Sequence, residues 1–298
     1  MSTPETTRFA PSPSGLLHLG HAYSAIFAAR AAGPKAAGGR FLLRIEDIDA
    51  ERARPEFEAA IFEDLAWLGL ALPELAWETP VRRQSDHLAD YAGALESLQA
   101  RRLVYPCFCT RKEIAAEIAR AGAAPHGPTD AVYPGLCRGL SQTERAERRA
   151  AGLPFALRLD MARALEEAEE AHGGPLAWHD RARGAQVCDP RPQGDVVLAR
   201  KDLGTSYHLA VTVDDAAQGI SLVTRGEDLF EASHVHRLLQ QLLDLPVPQY
   251  HHHRLVTDQH GQRLAKRSDA LALRALREAG RSPAEVVAMC GLEPQPAG

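Results

Sequence analysis

The chain has 298 residues, 45 % of them hydrophobic and 24 % charged, with a formal net charge of −5 at pH 7. That length holds a sizeable core and more than one lobe, and the balance is that of a soluble globular protein. No apolar run approaches the roughly 20 residues that span a bilayer, and five cysteines, an odd number, argue against a disulfide scaffold. The start "MSTPETTRFA" has no basic-then-apolar leader, so a cytoplasmic location is expected and no membrane partner.

In chain order, "TRFAP" reads as a strand and "PSPSG" as a stiff elbow, with an apolar helix from about Gly20 to Arg30. "RFLLRIED" is a mostly apolar run with the character of a buried parallel strand. Pro55 suits the first turn of a helix whose Phe57, Ile61, Leu65 and Leu68 keep helical spacing, and a further helix runs from about Ser85 to Arg102. Strands alternating with helices predict a parallel sheet with crossover helices. From Tyr105 the texture changes, and the Gly/Pro-rich "AGAAPHGPTDAVYPGLCRGL" reads as an inserted lobe. Ser141 and Glu144 form a capping box ahead of a short helix. Strand character resumes in "DVVLAR", then in "ISLVTRGEDL", followed by a helix from about Ser233 to Leu243. A strand "HHHRLVTD", a turn and two short helices complete the chain, the last capped by Ser282 and Glu285.

Two histidines, His18 and His21, stand three apart at the start of the first helix. Exposed N–H groups and the helix dipole make such a terminus a natural phosphate site, to which imidazole N–H groups add donors. Gly20 would let a flat base or a phosphate approach the backbone. Neither G-x-G-x-x-G after the first strand nor G-x-x-x-x-G-K-S/T is present. The residues alone leave two readings open, a phosphate site of another type or histidines that pack and cap locally.

The ordered set "RFAPSPSGLLHLGH", "LLRIEDID", "SYHLAVTVDD", "VTRGEDL" and "RLAKR" resembles the catalytic core of glutamyl-tRNA synthetases, a class I aminoacyl-tRNA synthetase family. His18-Leu19-Gly20-His21 matches its "HIGH" signature and Arg263-Leu264-Ala265-Lys266-Arg267 its "KMSKS" signature, with Arg263 in place of the first lysine and Ala265 in place of the serine. The resemblance implies an α/β fold: a Rossmann-type parallel-sheet core split into residues 1–102 and 193–245, an inserted zinc-bearing lobe of acceptor type at 103–192, and a stem-contact region with the KMSKS-like loop at 246–298. Only residues 268–298 follow the second signature, too few for an anticodon-binding domain. The expected relative is therefore the shortened branch, the glutamyl-queuosine tRNA(Asp) synthetases. These form glutamyl-adenylate from ATP and L-glutamate and esterify queuosine at the first anticodon position of tRNA(Asp).

By resemblance His18, His21 and Lys266 are catalytic, and the same three with Gly20 bind ATP, which brings Mg²⁺. Arg8, Ala10, Ser12, Glu46, Tyr207 and Arg225 would line the L-glutamate site, with Glu46 on the ammonium. Two carboxylates and one ammonium demand such a set of guanidinium partners and one carboxylate. Cys107, Cys109, Tyr133 and Cys137 resemble the family's structural zinc site, one Zn²⁺ per chain. From spacing alone, C-x-C plus a later cysteine is equally three buried thiols, and His126 or Asp130 competes with Tyr133 for the fourth place. A monomer is expected.

Other features have plainer readings. His251-His252-His253 alternates faces along a strand and is no convergent triad; Cys188 and Cys290 read as packed thiols. Asp214-Asp215 would touch an ATP ribose or cap a turn. Basic residues cluster at 101–102, 111–112, 145–149, 181–183 and 200–201, either as solvated surface or as local RNA contacts. Two alternatives to the queuosine reading are a shortened glutamyl-tRNA synthetase charging an acceptor end, and a catalytically silent RNA-binding paralogue.

Overall fold

Strand β1 (Thr6–Phe9) and strand β2 (Arg40–Ile45) pair in parallel, with β3 (Glu78–Arg83) on the outer side of β2. The computed structural model describes residues 4–71, 77–120, 132–256 and 272–293. Helix α1 (Leu19–Ala32) makes the crossover from β1 to β2, and α2 (Pro55–Trp67) follows β2 with Pro55 in its first turn.

On the other side of β1 lies β9 (Leu222–Gly226), tied to it by Ser221 N–H to Thr6 O at 3.0 Å and by Thr6 N–H to Ser221 Oγ at 2.9 Å. Beyond it run β10 (Gln249–His253), parallel to β9, then β6 (Ala177–Asp180), parallel to β10, and antiparallel β7 (Gly184–Val187) at the edge. Across the molecule the parallel strands therefore follow β3-β2-β1-β9-β10-β6. Strand order reverses between β1 and β9, the place where doubly wound sheets open a crevice beyond their strand ends.

Alternation along β2 explains both layers beside the sheet. Phe41, Leu43 and Ile45 enter one core with α1, α2 and the C-terminal helices α9 (Leu273–Glu278) and α10 (Pro283–Met289). Leu42 enters the other core, with Leu95 of α3 (Leu88–Ala100), Leu209 of α7 (Tyr207–Ala217) and Leu238 of α8 (Ala232–Leu242). Arg44 shares the Leu42 face and is fully buried, so this side of the sheet contains charge.

A third sheet is antiparallel: β4 (Val104–Cys107), β5 (Ala156–Leu159) and β8 (Val197–Ala199). Helices α4 (Arg111–Arg120) and α5 (Gln142–Ala150) flank it in the chain, and α6 (Met161–His172) follows β5. Strand pairing cuts across the ranges expected from sequence. Within 103–192, β6 pairs with β10 of the main sheet, while β8, from 193–245, pairs with β5 of the lobe. No helix among the described residues is long and apolar enough to cross a membrane.

Candidate active site

A cavity of about 580 Å³ opens at the carboxyl ends of β1 and β9. Its lining brings together Arg8, Ala10, Ser12, His18, Gly20, His21, Glu46, Tyr207 and Arg225, nine of the ten residues expected at the amino-acid and nucleotide sites. The tenth, Lys266, lies outside the described residues with the whole RLAKR motif, as do His126 and Asp130. The described residues on either side of that motif border the site: Val256 lines the cavity and Ala272 bridges to His18.

The elbow is held by its neighbours. Pro11 O accepts Glu46 N–H at 3.0 Å and Pro13 O accepts Arg54 N–H at 2.9 Å, so the turn after β1 is anchored to the loop after β2. At the start of α1 the two histidines build a reciprocal cap. His18 Nδ1 accepts Gly20 N–H at 3.0 Å, and His21 Nδ1 accepts His18 N–H at 3.2 Å. Both Nδ1 atoms are thereby acceptors, which leaves each ring its proton on Nε2. The cap satisfies two orphan N–H groups and fixes the tautomer at once. Capping and anion donation are therefore compatible in one pair of rings.

Gly20 also serves the cap. A Cβ there would stand 2.9 Å from His18 Cε1 and 3.2 Å from Nδ1, so the missing side chain makes room for the folded-back imidazole.

Beneath the floor lies a buried charge network that the sequence did not reveal. Arg8 Nε donates to Asp215 at 2.9 Å, and its Nη1 donates to Thr224 O at 3.0 Å. Arg44 Nη1 reaches the same Asp215 oxygen at 2.8 Å, and its Nη2 lies 3.4 Å from Glu46. Asp214 accepts from Arg82, Gln84 and Tyr91 at 2.7, 2.8 and 2.9 Å. The Asp214 and Asp215 side chains are thus spent on neighbouring arginines, and neither residue is in the cavity lining. Burial pushes the Asp215 carboxyl up, but Arg8 and Arg44 outweigh it and hold the group below its usual range. For Glu46 burial wins over Arg44 and Arg8, and its carboxyl is raised.

Arg225, at the end of β9, is 6 % exposed and sits among neutral groups. Its Nε donates to His252 at 3.2 Å, Nη2 to Ser233 Oγ at 2.5 Å, and Nη1 lies 3.1 Å from His236 Nδ1 and 3.5 Å from Tyr207 OH. His236 meets His208 at 3.2 Å. Burial first and Arg225 second depress all three imidazoles, His208 and His252 to about 4 and His236 well below its usual value, so at neutral pH they are uncharged. No described carboxylate lies within ion-pair distance of Arg225, in contrast to Arg8 and Arg44. A buried, uncompensated guanidinium at a cavity wall is a seat for an anion.

Of the three consecutive histidines, His252 faces Arg225 while His253 lines the cavity, with Nε2 3.1 Å from Ser24 Oγ, and His251 packs edge-on to Phe27. The strand alternates as expected, and two of the three rings still belong to the site. Ser233 and His236, one turn apart on α8, carried a signal in their helical spacing; the partner they share did not.

In the lobe, Cys107 ends β4, and the sulfurs of Cys107, Cys109 and Cys137 lie within 4.8 Å of one another. Cys109 and Cys137 are 3.4 Å apart, with Tyr133 OH 3.7 Å from Cys109. Cys188 and Cys290 are buried singly, their thiols pushed up by burial to about 12 and about 11.

Residues 5–294 match the family of class I tRNA synthetases (E and Q), catalytic domain. The chain belongs to that family. This class I tRNA synthetase is 52 % identical over 294 residues to the glutamyl-Q tRNA(Asp) synthetase of Rhodobacter capsulatus, covering 96 % of the chain and 99 % of that relative. It is 45 % identical over 294 residues to the enzyme of the same name from Nocardia farcinica, covering 97 % of the chain and 86 % of the relative. The fold matches a glutamate tRNA ligase from Elizabethkingia meningosepticum in complex with its amino acid at a TM-score of 0.68 and 27 % identity. That match covers 94 % of this synthetase but 54 % of the ligase chain, so the synthetase spans about half the length of that structure.

Proposed function

We propose that the protein activates L-glutamate with ATP as glutamyl-adenylate and transfers the glutamyl group to queuosine at the first anticodon position of tRNA(Asp). One observation carries the reading: Arg225, a buried cation with no described carboxylate partner, shares a cavity with Glu46 and the His18–His21 helix cap. That is the charge pattern of an amino acid with a second carboxylate beside a nucleotide. The names of the relatives supply the acceptor.

In this account one glutamate carboxylate pairs with Arg225, and the ammonium meets Glu46, whose charged form an arriving cation favours against the cost of burial. Arg8, steadied by Asp215, offers the remaining guanidinium edge. The α-carboxylate then attacks the α-phosphorus of ATP and pyrophosphate leaves. Little covalent chemistry falls to the protein, so positioning and charge neutralisation dominate. His18 and His21, whose ring protons are on Nε2, donate to the phosphate oxygens as charge grows, and Lys266 supplies an ammonium to pyrophosphate. When bound with the nucleotide, Mg²⁺ would supply further charge neutralisation at the phosphates.

The lobe would hold one Zn²⁺ through Cys107, Cys109, Cys137 and Tyr133. The sulfur spacings fit, since thiolates around zinc stand about 3.8 Å apart when Zn–S is about 2.3 Å. When bound, the metal cross-links the end of β4 to the 133–137 loop. The three cysteines share no residue with the cavity, which supports a structural role.

The expected RNA face is on the same lobe. Arg148 and Arg149 of α5 stack on Phe108 and Phe155, whose ring centroids are 5.5 Å apart. Beside them Leu153, Pro154 and Phe155 line an apolar pocket of about 290 Å³ rimmed by Arg200 and Lys201. Arg101 and Arg181 are ion-paired within the chain, with Glu167 and Glu5, as Arg200 is with Asp202.

Glutamate-dependent exchange of labelled pyrophosphate into ATP tests the first half-reaction. Exchange with L-glutamate, and none with L-aspartate or L-glutamine, is expected; no exchange with any amino acid, with or without tRNA, overturns the reading.

A further inference from the structure

Arg225 lacks a carboxylate of its own, yet a buried one reaches it through an imidazole. We propose that Asp180 and His252 are positioning residues for the substrate carboxylate, setting the orientation of the Arg225 guanidinium through the tautomer of His252. The proposal rests on the reading of Arg225 given above.

Asp180 ends β6, with no exposed side-chain surface. Its Oδ1 accepts the backbone N–H of Ala182 at 2.8 Å and of Arg183 at 2.9 Å. Its Oδ2 accepts His252 N–H at 3.1 Å and lies 2.6 Å from His252 Nδ1. Surrounded by donors, the carboxyl stays ionised: burial raises it, and the bonds from His252 and Ala182 lower it further. An ionised oxygen facing Nδ1 requires the ring proton there, which leaves a lone pair on Nε2.

That lone pair points at Arg225 Nε, 3.2 Å away. A proton on Nε2 instead would set two N–H groups against each other. Ser233 Oγ stands 3.1 Å from the same Nε2 and 2.5 Å from Arg225 Nη2, and His236 Nδ1 is 3.1 Å from Nη1. With Tyr207 OH 3.5 Å from Nη1, four groups therefore hold the guanidinium along its edges at the wall of the cavity that Arg225 lines. Asp180 keeps its charge one imidazole away from Arg225, so it orients the cation without occupying the substrate's place. It also lies on a strand within 103–192, so that range reaches the floor of the site.

Asp180→Asn is the sharpest perturbation. Turned one way, the amide NH₂ faces two backbone donors; turned the other, it faces one and donates to Nδ1. The second arrangement is less costly and drives the His252 proton to Nε2, against Arg225. Measured by pyrophosphate exchange, glutamate KM should rise about 10- to 100-fold, as when partners of ligating residues are lost elsewhere, with ATP KM unchanged. His252→Leu should do the same, whereas His252→Gln, which offers an acceptor near the Nε2 position, should restore KM to within roughly threefold of wild type. A purely structural role would lower kcat with the folded fraction and leave KM alone. If Asp180→Asn does not fold, equal KM values for His252→Leu and His252→Gln overturn the proposal. Wild-type KM in Asp180→Asn or in His252→Leu, with a raised KM in Arg225→Lys, overturns it while keeping the substrate site. Wild-type KM in Arg225→Lys itself overturns the site reading.

Discussion

The carboxylate of Asp215 meets the Nε–H of Arg8 at 2.9 Å beneath the cavity floor, and this contact separates two arginines that look alike in sequence. Arg8 is neutralised from below, while Arg225 faces the same cavity with neutral neighbours. Arg225→Ala should therefore act mainly on substrate, weakening glutamate binding by about 2–5 kcal/mol with little change in thermal midpoint. Glutamate KM and a melting curve check both halves of the statement.

Asp215→Asn should do the reverse. Arg8 and Arg44 share that carboxylate, and stripping a buried pair of its anion costs about 3–5 kcal/mol. The folded pKa of Asp215 lies below the unfolded value, so its contribution is complete at neutral pH. It is lost as pH falls below the ordinary aspartate value of 3.8 and through the depressed folded one, because the unfolded chain binds the proton first. Denaturant titrations across the acid range should show a shallower loss of stability in Asp215→Asn than in wild type.

Much of this network was hidden from the sequence for a definite reason. Arg44 sits in "RFLLRI", where strand periodicity gives the face but not what waits on it. Glu46 beside it is local, but Asp215 comes from α7, 171 positions away. The capping boxes at Ser141 and Ser282 were legible because they are local, and both are present. The motif residues around the cavity were legible as an ordered set; Asp180 was not, since β6 reaches the main sheet by a pairing that no local pattern announces.

Gly20→Ala tests the histidine cap. Alanine in a helix ordinarily gains close to 1 kcal/mol over glycine. Here the Cβ would contact His18 Cε1 at 2.9 Å and displace the ring, forfeiting a cap worth about 0.5–2 kcal/mol. Stability should change little while exchange activity falls steeply, because the His18 ring loses its place at the helix start.

Metal analysis should find one zinc per chain, lost in Cys107→Ser/Cys109→Ser, with greater protease sensitivity of the lobe and activation largely retained. Protein washed with chelator that holds no zinc yet keeps its full fold would remove the metal from the account.

Salt should separate the half-reactions. Each phosphate contact contributes a log–log slope of about 0.7–0.9 to RNA affinity, whereas adenylate formation uses small molecules at buried groups. Transfer to tRNA should fall much more steeply than exchange as salt rises, and Arg148→Glu/Arg149→Glu should depress transfer alone. Parallel losses in both would contradict an RNA face on α5.

The most direct test is to identify the nucleoside that receives the glutamate. Labelled L-glutamate, ATP and tRNA carrying queuosine are incubated with the protein, and the RNA is digested to nucleosides under mildly acidic conditions that spare the ester. The account predicts the label on queuosine from tRNA(Asp). Label on the 3′-terminal adenosine, with none on queuosine, would contradict it.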